Sequence, residues 1–197
     1  MAFDYSEAPP PRDFELIPHG TVAVVQLTIR AGSAGEGGLL KRSAKGDCEM
    51  LDCEFVVVDG PYTKRKFWER MILAGATDGH AKAAEVSRGR LRNILESARG
   101  IKPDDTSPQA RIARTAELRD FDGMRFVGKI GVERGKPKGD GSGDYPDKNI
   151  LVAVITPDKR DWHQVDQPPP DPPFNGGGNG PASPTIPAVI SKPAWAS

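Results

Sequence analysis

The chain has 197 residues, and its 27 lysines and arginines are balanced by 27 aspartates and glutamates, so its formal net charge is zero. This length suits one domain of ordinary size with some additional sequence. The balance excludes a generally basic protein, and any attraction for a polyanion must therefore come from a local patch.

The only two cysteines, Cys48 and Cys53, lie five positions apart on one predicted strand and point to opposite faces, where they cannot bridge each other. Unbridged cysteines favour a reducing, cytoplasmic setting. The sequence has no charged-then-apolar leader and no apolar run near the length of a membrane span. We therefore expect neither secretion nor membrane insertion.

The chain begins with a proline-rich stretch, residues 1–20, which predicts an extended arm along the domain. Its aromatic anchors would be Phe3, Tyr5 and Phe14. Residues 21–30 alternate apolar and polar side chains and predict the first strand. Residues 31–47 are a glycine-rich loop, and loops this long are usually functional or disordered. Its glycines lack the spacing of a phosphate-binding loop, and a strand follows where that motif needs a helix.

Residues 48–59 and 64–73 predict a β-hairpin, because both runs are rich in aromatic and β-branched residues and residues 59–62 have turn chemistry. The core side of the first run would be Leu51, Cys53, Phe55 and Val57. Side chains alternate across a strand, so one face of the second run carries an indole and three cations: Lys64, Lys66, Trp68 and Arg70. Such a face can hold an unpaired nucleic-acid strand, because the ring stacks on a base while the cations meet phosphates.

A structural interpretation of the same face stays open. Alternation places Asp52 and Glu54 on that face of the partner strand, where they would form a solvated charge ladder with the cations. The hairpin alone favours the ladder. The order of the surrounding elements favours the nucleic-acid interpretation.

After the hairpin, Thr77-Asp78-Gly79 predicts a helix from His80 to Arg99 with Gly100 at its end. A narrow apolar stripe predicts that it lies on the sheet. A short second helix is predicted from Pro108.

Two further strands are predicted at residues 124–134, with Val127 facing outward, and at residues 150–155. Loop 135–149 joins them. Residues 157–197 are dominated by proline, glycine, asparagine and serine and cannot bury enough apolar surface to offset their chain entropy. They predict a disordered tail.

This order predicts a mainly β protein with one or two helices: a five-stranded Greek-key barrel of the OB type, with a helix between strands 3 and 4. Its parts would be an N-terminal arm (1–20), an OB-fold domain (21–156) and a disordered C-terminal tail (157–197). Such barrels bind oligonucleotides on the face of strands 2 and 3 and in the loops joining strands 1–2 and 4–5. The topology and the hairpin therefore indicate the same surface.

The candidate nucleic-acid-binding residues follow from this placement. Trp68 is the first choice for stacking, and Tyr62 at the hairpin tip and Tyr145 in the last loop are further candidates. Phosphates would be met by basic residues of the hairpin and loops: Lys64, Lys66, Arg70, Lys41, Arg42, Lys45, Lys129, Lys136, Lys138 and Lys148. The structural alternatives also stay open, with Trp68 packed under the N-terminal arm and the tyrosines as loop anchors.

Other chemistries find less support in the sequence. The three histidines, His19, His80 and His163, are scattered and have no cysteine at ligand spacing, so we predict no metal site and no cofactor. No spacing indicates a catalytic nucleophile. A nuclease would have to use a loop cluster of carboxylates: Asp140, Asp144 and Asp147. We therefore expect a protein that is not an enzyme.

Six short pieces of the chain match one known family: Met1-Ala2-Phe3-Asp4-Tyr5, Pro18-x-Gly20, Asp59-Gly60 running into Lys66-Phe67-Trp68, the helix end Leu91 to Gly100, Phe126-Val127-Gly128-Lys129 and Asp147-Lys148-Asn149. Together they resemble a phage family from replication and recombination modules, long catalogued as a domain of unknown function and regarded as single-stranded-DNA-binding proteins. The resemblance covers residues 1–156, fits residues 101–122 least, and implies the cytoplasm of a phage-infected or lysogenic bacterial cell.

The sequence thus predicts a largely sequence-independent single-stranded-DNA-binding protein that coats exposed strands in replication or recombination. The alternative is a structural or protein-interaction module, such as a virion or assembly adaptor, which would fit the neutral charge.

In the tail, Asp171-Pro172-Pro173-Phe174 is similar to half of the acidic, Pro-Phe-ending tip through which bacterial single-stranded-DNA-binding proteins recruit partners. Phe174 and Trp195 are therefore candidate docking residues for replication or recombination proteins, and self-association stays open.

Overall fold

The computed structural model describes residues 15–168 and is mainly β with two helices, as predicted. Its elements follow in the order β1 Thr21–Arg30, β2 Lys41–Arg42, β3 Cys48–Val57, β4 Lys66–Gly75, α1 Asp78–Arg99, α2 Pro108–Ala113, β5 Arg125–Glu133 and β6 Lys148–Val154. Among these residues no helix is long and apolar enough to cross a membrane. The proposed arm anchors Phe3, Tyr5 and Phe14 and the tail residues Phe174 and Trp195 lie outside the described residues.

All six strands belong to one antiparallel sheet. β3 lies between β4 and β1, β1 also pairs with β5, and β6 forms the edge beyond β5. The two end strands, β4 and β6, lie near each other. Between residues 15 and 168 their gap is crossed by the Glu69 carboxylate, which accepts a hydrogen bond from the Leu151 N–H, and not by a backbone ladder.

The sheet has one strand more than the five predicted. Lys41 and Arg42, within the long loop, pair with Met50 and Glu49 of β3. This edge of β3 is vacant there because β1 pairs with β3 only from Asp52 onward. A short edge strand satisfies backbone groups that would otherwise stay unpaired. The loop is thereby folded back toward the hairpin.

The predicted hairpin forms, but its second strand begins at Lys66 and not at residue 64. Lys64 is the one non-glycine residue of the described chain with a positive φ, 70°, and its N–H donates to the Val57 carbonyl at 2.8 Å. A left-handed backbone ends a strand. Lys64 therefore lies in the exposed turn and not on the strand face to which alternation assigned it.

The core lies between the inner face of the sheet and α1. The four residues predicted for the core side of β3 are all fully buried: Leu51, Cys53, Phe55 and Val57. The Phe55 ring stacks on Phe67 of β4 with a centroid distance of 5.1 Å and meets Phe126 of β5 edge-on at 6.3 Å. These contacts fix which face of the hairpin remains outside.

Helix α1 begins at Asp78, two residues before the predicted start, because Thr77 caps it: the Thr77 hydroxyl accepts a hydrogen bond from the His80 N–H at 3.2 Å. It ends where Gly100 adopts a left-handed backbone with φ 69° and donates its N–H to the Glu96 carbonyl. The apolar stripe of the helix packs on β4 and β5, as predicted.

Thr77→Ala is expected to lower the free energy of unfolding by about 1 kcal/mol, because it leaves the first turn of α1 without its cap. Urea denaturation followed by circular dichroism measures the change. Thr106→Ala, at an exposed threonine, is the matched control and should change stability by less than about 0.5 kcal/mol. Equal losses in the two variants would contradict the capping role.

Residues 155–168 return across the outer face of β1 and β5. Val24, Val127, Ile155 and Val165 form a second buried cluster, and the Trp162 indole donates to the Ser97 carbonyl at 3.1 Å. Val127, predicted to face solvent, is fully buried because this segment covers it. The packed chain thus continues beyond residue 156, where composition placed the start of the tail.

Candidate nucleic-acid interface

The outward face of β1, β3 and β4 is continuous, because residues of the three strands lie opposite one another. Two rows of side chains cross it: Arg30, Asp52 and Arg70 in one, and Thr28, Glu54 and Trp68 in the next. The register of the sheet, set by the buried phenylalanines on its other face, therefore brings a residue of β1 beside the hairpin.

Trp68 projects from this face with 48% of its surface exposed. Its Nε1–H donates to Glu54 Oε2 at 3.0 Å, so the edge of the indole is held while much of the ring remains open. The ring is therefore available to stack on a planar group.

Glu54 also accepts a hydrogen bond from Lys66 Nζ, at 2.6 Å from its Oε1. This bond, with a smaller contribution from the Trp68 N–H, holds the pKa of Glu54 below its usual range, so the carboxylate is charged at neutral pH. Lys41 likewise pairs with Asp52 at 3.3 Å. The cross-strand charge ladder therefore forms, and it occupies two of the predicted phosphate-binding lysines.

An open groove of about 740 Å³ runs beside Trp68, between the hairpin face and the edge of β6. Five cationic residues line it: Arg30, Lys41, Arg70, Arg90 and Lys148. Three acidic residues also line it: Asp52, Glu69 and Glu133. The groove thus carries a local excess of positive charge on a chain that is neutral as a whole.

Two of these five cations, Arg30 and Arg70, form no salt bridge within residues 15–168, although Arg30 lies close enough to Glu54 to act on it electrostatically. Arg90 pairs with Glu69 at 2.6 Å and Lys148 with Glu133 at 2.9 Å, and Lys41 is held by Asp52. Within residues 15–168, Arg30 and Arg70 have no ion-pair or hydrogen-bond partner for their guanidinium groups. They lie in one row on either side of Asp52. The groove therefore presents two guanidinium groups that a phosphate can engage without displacing a carboxylate.

Of the predicted site residues, Trp68, Arg70, Lys41 and Lys148 come together in the groove, and Lys66 lies next to it through Glu54. The others lie outside its lining: Tyr62, Lys64, Arg42, Lys45, Lys129, Lys136, Lys138 and Tyr145. Sequence reasoning omitted Arg30 and Arg90. Alternation places Arg30 on the outward face of the first strand, and this is the signal that could have identified it.

Tyr62 packs against the main core and anchors the hairpin loop, which is the structural alternative for this residue. Arg42 is paired with Glu49 at 3.0 Å. Tyr145 is exposed, but Lys138 Nζ lies 5.8 Å from the centroid of its ring, in cation–π range. These contacts give Tyr62, Arg42 and Tyr145 partners within the protein, outside the lining of the groove.

The loop carboxylates do not form one site. Asp147 accepts a hydrogen bond from the Gly135 N–H at 2.9 Å. Asp140 accepts from the N–H and hydroxyl of Ser142, and these bonds lower its pKa. Both carboxylates thus hold turns of their own loop.

Comparison of the chain with models of known protein families, with curated proteins and with solved structures finds no match. The geometry of the groove is therefore the main indication of what the protein binds.

Proposed function

We propose that the protein binds single-stranded DNA, largely independently of sequence, and acts in phage DNA replication or recombination. The observation that carries this proposal is the half-exposed Trp68 beside two guanidinium groups, Arg30 and Arg70, that form no salt bridge within residues 15–168. Every base has a flat face that can stack on an indole, so this arrangement selects unpaired bases and not a sequence.

The combination of an exposed aromatic ring with neighbouring cations in the groove supports a single strand as the occupant. A duplex keeps its base faces stacked inside, whereas an unpaired strand offers bases to Trp68 and phosphates to Arg30 and Arg70 at the same time. The resemblance to phage replication and recombination proteins supports the biological setting.

We also assign the sheet to the OB type. Its strand order supports this, because β1 lies at the centre between β3 and β5 while the end strands β4 and β6 approach each other. Helix α1, which follows the hairpin and precedes β5, lies where that fold has its helix. The groove then corresponds to the surface on which such barrels bind oligonucleotides.

The proposal is tested by titrating a fluorescently labelled oligo-dT with the full-length protein at several salt concentrations, with and without magnesium. The two phosphate contacts of Arg30 and Arg70 would give a slope of log K against log salt of about −1.4, since each contact on a single strand contributes about −0.7. Absence of binding at low salt would refute the proposal. Magnesium-dependent cleavage would instead indicate a nuclease.

Glu54→Gln is expected to raise the affinity for oligo-dT by up to about tenfold at low salt. The substitution keeps an acceptor for the Trp68 N–H, removes a negative charge from the face, and frees Lys66 for one more phosphate contact. The salt slope should steepen by about 0.7. Glu85→Gln, on the exposed side of α1, removes the same charge elsewhere and is the control. A gain of equal size in both variants would contradict the role of Glu54.

A structural or protein-interaction module is the second candidate. Two large apolar side chains of the helices favour it, because Val86 of α1 and Ile112 of α2 are exposed. Both lie on the helices, whereas Trp68 lies on the outward face formed by β1, β3 and β4. A protein partner or a second copy on the helices is therefore compatible with an oligonucleotide in the groove.

A further inference from the structure

The start of β3 and the start of α1 meet at one corner of the domain. There Asp47, Cys48 and His80 each offer a ligand atom, and these three atoms all lie within 4.8 Å of one another. Sequence spacing does not predict this group, because the whole hairpin separates His80 from the other two residues. Cys48 stands opposite Gly75 at the end of β4, and the chain turns from there directly into the helix.

Gly75 determines where the imidazole lies. A Cβ on Gly75 would stand 2.5 Å from His80 Cβ and 2.6 Å from His80 Nδ1, closer than real contacts allow. The ring is therefore packed over a position that only glycine leaves open. On the neighbouring residues, the Ala76 N–H donates to the Asp47 carbonyl at 2.9 Å and holds the two segments together.

One buried polar atom at this corner has no partner within residues 15–168. His80 Nδ1 is buried and has no hydrogen-bond partner among the described residues. A buried polar atom without a partner costs about 1–3 kcal/mol. The Cys48 thiol is buried beside it. The Asp47 carboxylate accepts a hydrogen bond from the Ser43 hydroxyl at 2.5 Å.

We propose that Asp47, Cys48 and His80 form a binding site for a zinc ion. Thiolate, imidazole and carboxylate are the ligand types that Zn²⁺ takes in proteins, with bonds of about 2.0–2.3 Å. Tetrahedral bonds of that length place ligand atoms about 3.3–3.8 Å apart, so small side-chain rotations bring this group to the required geometry. His80 Nδ1 gains a partner, Cys48 releases its proton to solvent, and water takes the fourth position.

The ion would join the end of loop 31–47, which continues directly into β3, to the first turn of α1. Its role is therefore structural, and it fixes the loop that carries Lys41 toward the groove. This inference does not depend on DNA binding, and it can fail or succeed while the proposed function stands.

The test uses the full-length chain without an affinity tag, freed of metal with a chelator and titrated with Co²⁺. A cobalt–thiolate bond has a charge-transfer absorption that reports directly on a cysteine ligand. We expect one equivalent of Co²⁺ to give this absorption and one equivalent of Zn²⁺ to remove it. Absence of a saturable signal at one equivalent would overturn the proposal.

Three variants assign the site. Cys48→Ser should abolish the absorption, and His80→Gln should weaken Co²⁺ binding by more than the roughly 10- to 100-fold that losing an outer partner costs. Gly75→Ala, which displaces the imidazole, should weaken Co²⁺ binding to a similar extent. His80→Gln changes a side chain in the first turn of the helix, so this variant still tests the metal site if Cys48→Ser does not fold.

The matched controls are the other cysteine and a distant histidine. Cys53 is packed in the main core and does not belong to the group of Asp47, Cys48 and His80. Cys53→Ala and His163→Gln should therefore retain full Co²⁺ absorption. An undiminished signal in folded Cys48→Ser or His80→Gln, or its loss in folded Cys53→Ala, would overturn the assignment.

Discussion

Trp68→Ala is expected to weaken binding of oligo-dT by about 5- to 150-fold at fixed salt, which corresponds to the roughly 1–3 kcal/mol that one base stacked on an aromatic ring contributes. Nearly half of the side chain is exposed and the rest lies on the outer face of β4, so its removal leaves the phenylalanine core intact. The salt slope should stay the same, because stacking involves no counterion. Fluorescence anisotropy measures both quantities.

Two further variants separate stacking from other roles of the ring. Trp68→Phe keeps a flat face but loses the hydrogen bond to Glu54, so it should retain most of the affinity. Tyr145→Ala removes an exposed aromatic ring outside the groove and should change affinity less than twofold. An unchanged affinity of folded Trp68→Ala would remove this residue from the interface, and equal losses in the Phe and Ala variants would assign its effect to the hydrogen bond.

The hairpin could be predicted from sequence because its information is local. Alternation identified the buried side of β3 correctly, and the turn residues placed the connection. The error at Lys64 arose where the turn requires a left-handed backbone, which alternation does not reveal. The helix was predictable for the same reason, since Thr77 and Gly100 mark its ends by their own chemistry.

Long-range placement could not be predicted in this way. Residues 157–168 look like part of the tail by composition, but Trp162 and Val165 pack because the chain returns over Val24 and Val127 on the outer face of β1 and β5. The segment after α1 is held by Arg114, which donates to the buried carboxylate of Glu96 at 2.7 Å. A buried charge is tolerated only with such a partner. Neither contact leaves a periodic pattern in the sequence.

In the candidate interface, too, local features could be predicted from the sequence and long-range placement could not. Sequence reasoning identified Trp68 and Arg70 from one strand, but the approach of Arg30 depends on the register between β1 and β3. The partners of the lysines likewise depend on the register, and they distinguish neutralised cations from available ones. Available charge, more than the number of basic residues, therefore decides which side chains should contact phosphates.

The Arg30→Gln/Arg70→Gln double variant is expected to bind oligo-dT about 100-fold more weakly at 50 mM salt, since each lost phosphate contact costs roughly tenfold there. The salt slope should become shallower by about 1.4, from two contacts of about 0.7 each. Both side chains lie on the outer face without internal partners in the described chain, so the free energy of unfolding should change little.

Arg42→Gln/Lys45→Gln is the matched control, because it removes the same two charges from exposed positions of the neighbouring loop, outside the groove. If general attraction between the protein and DNA governs binding, the two double variants should lose affinity equally. If the groove governs it, the loss and the shallower slope should be confined to Arg30 and Arg70. Equal behaviour of the two pairs would therefore reject the groove as the path of the strand while leaving weak electrostatic binding intact.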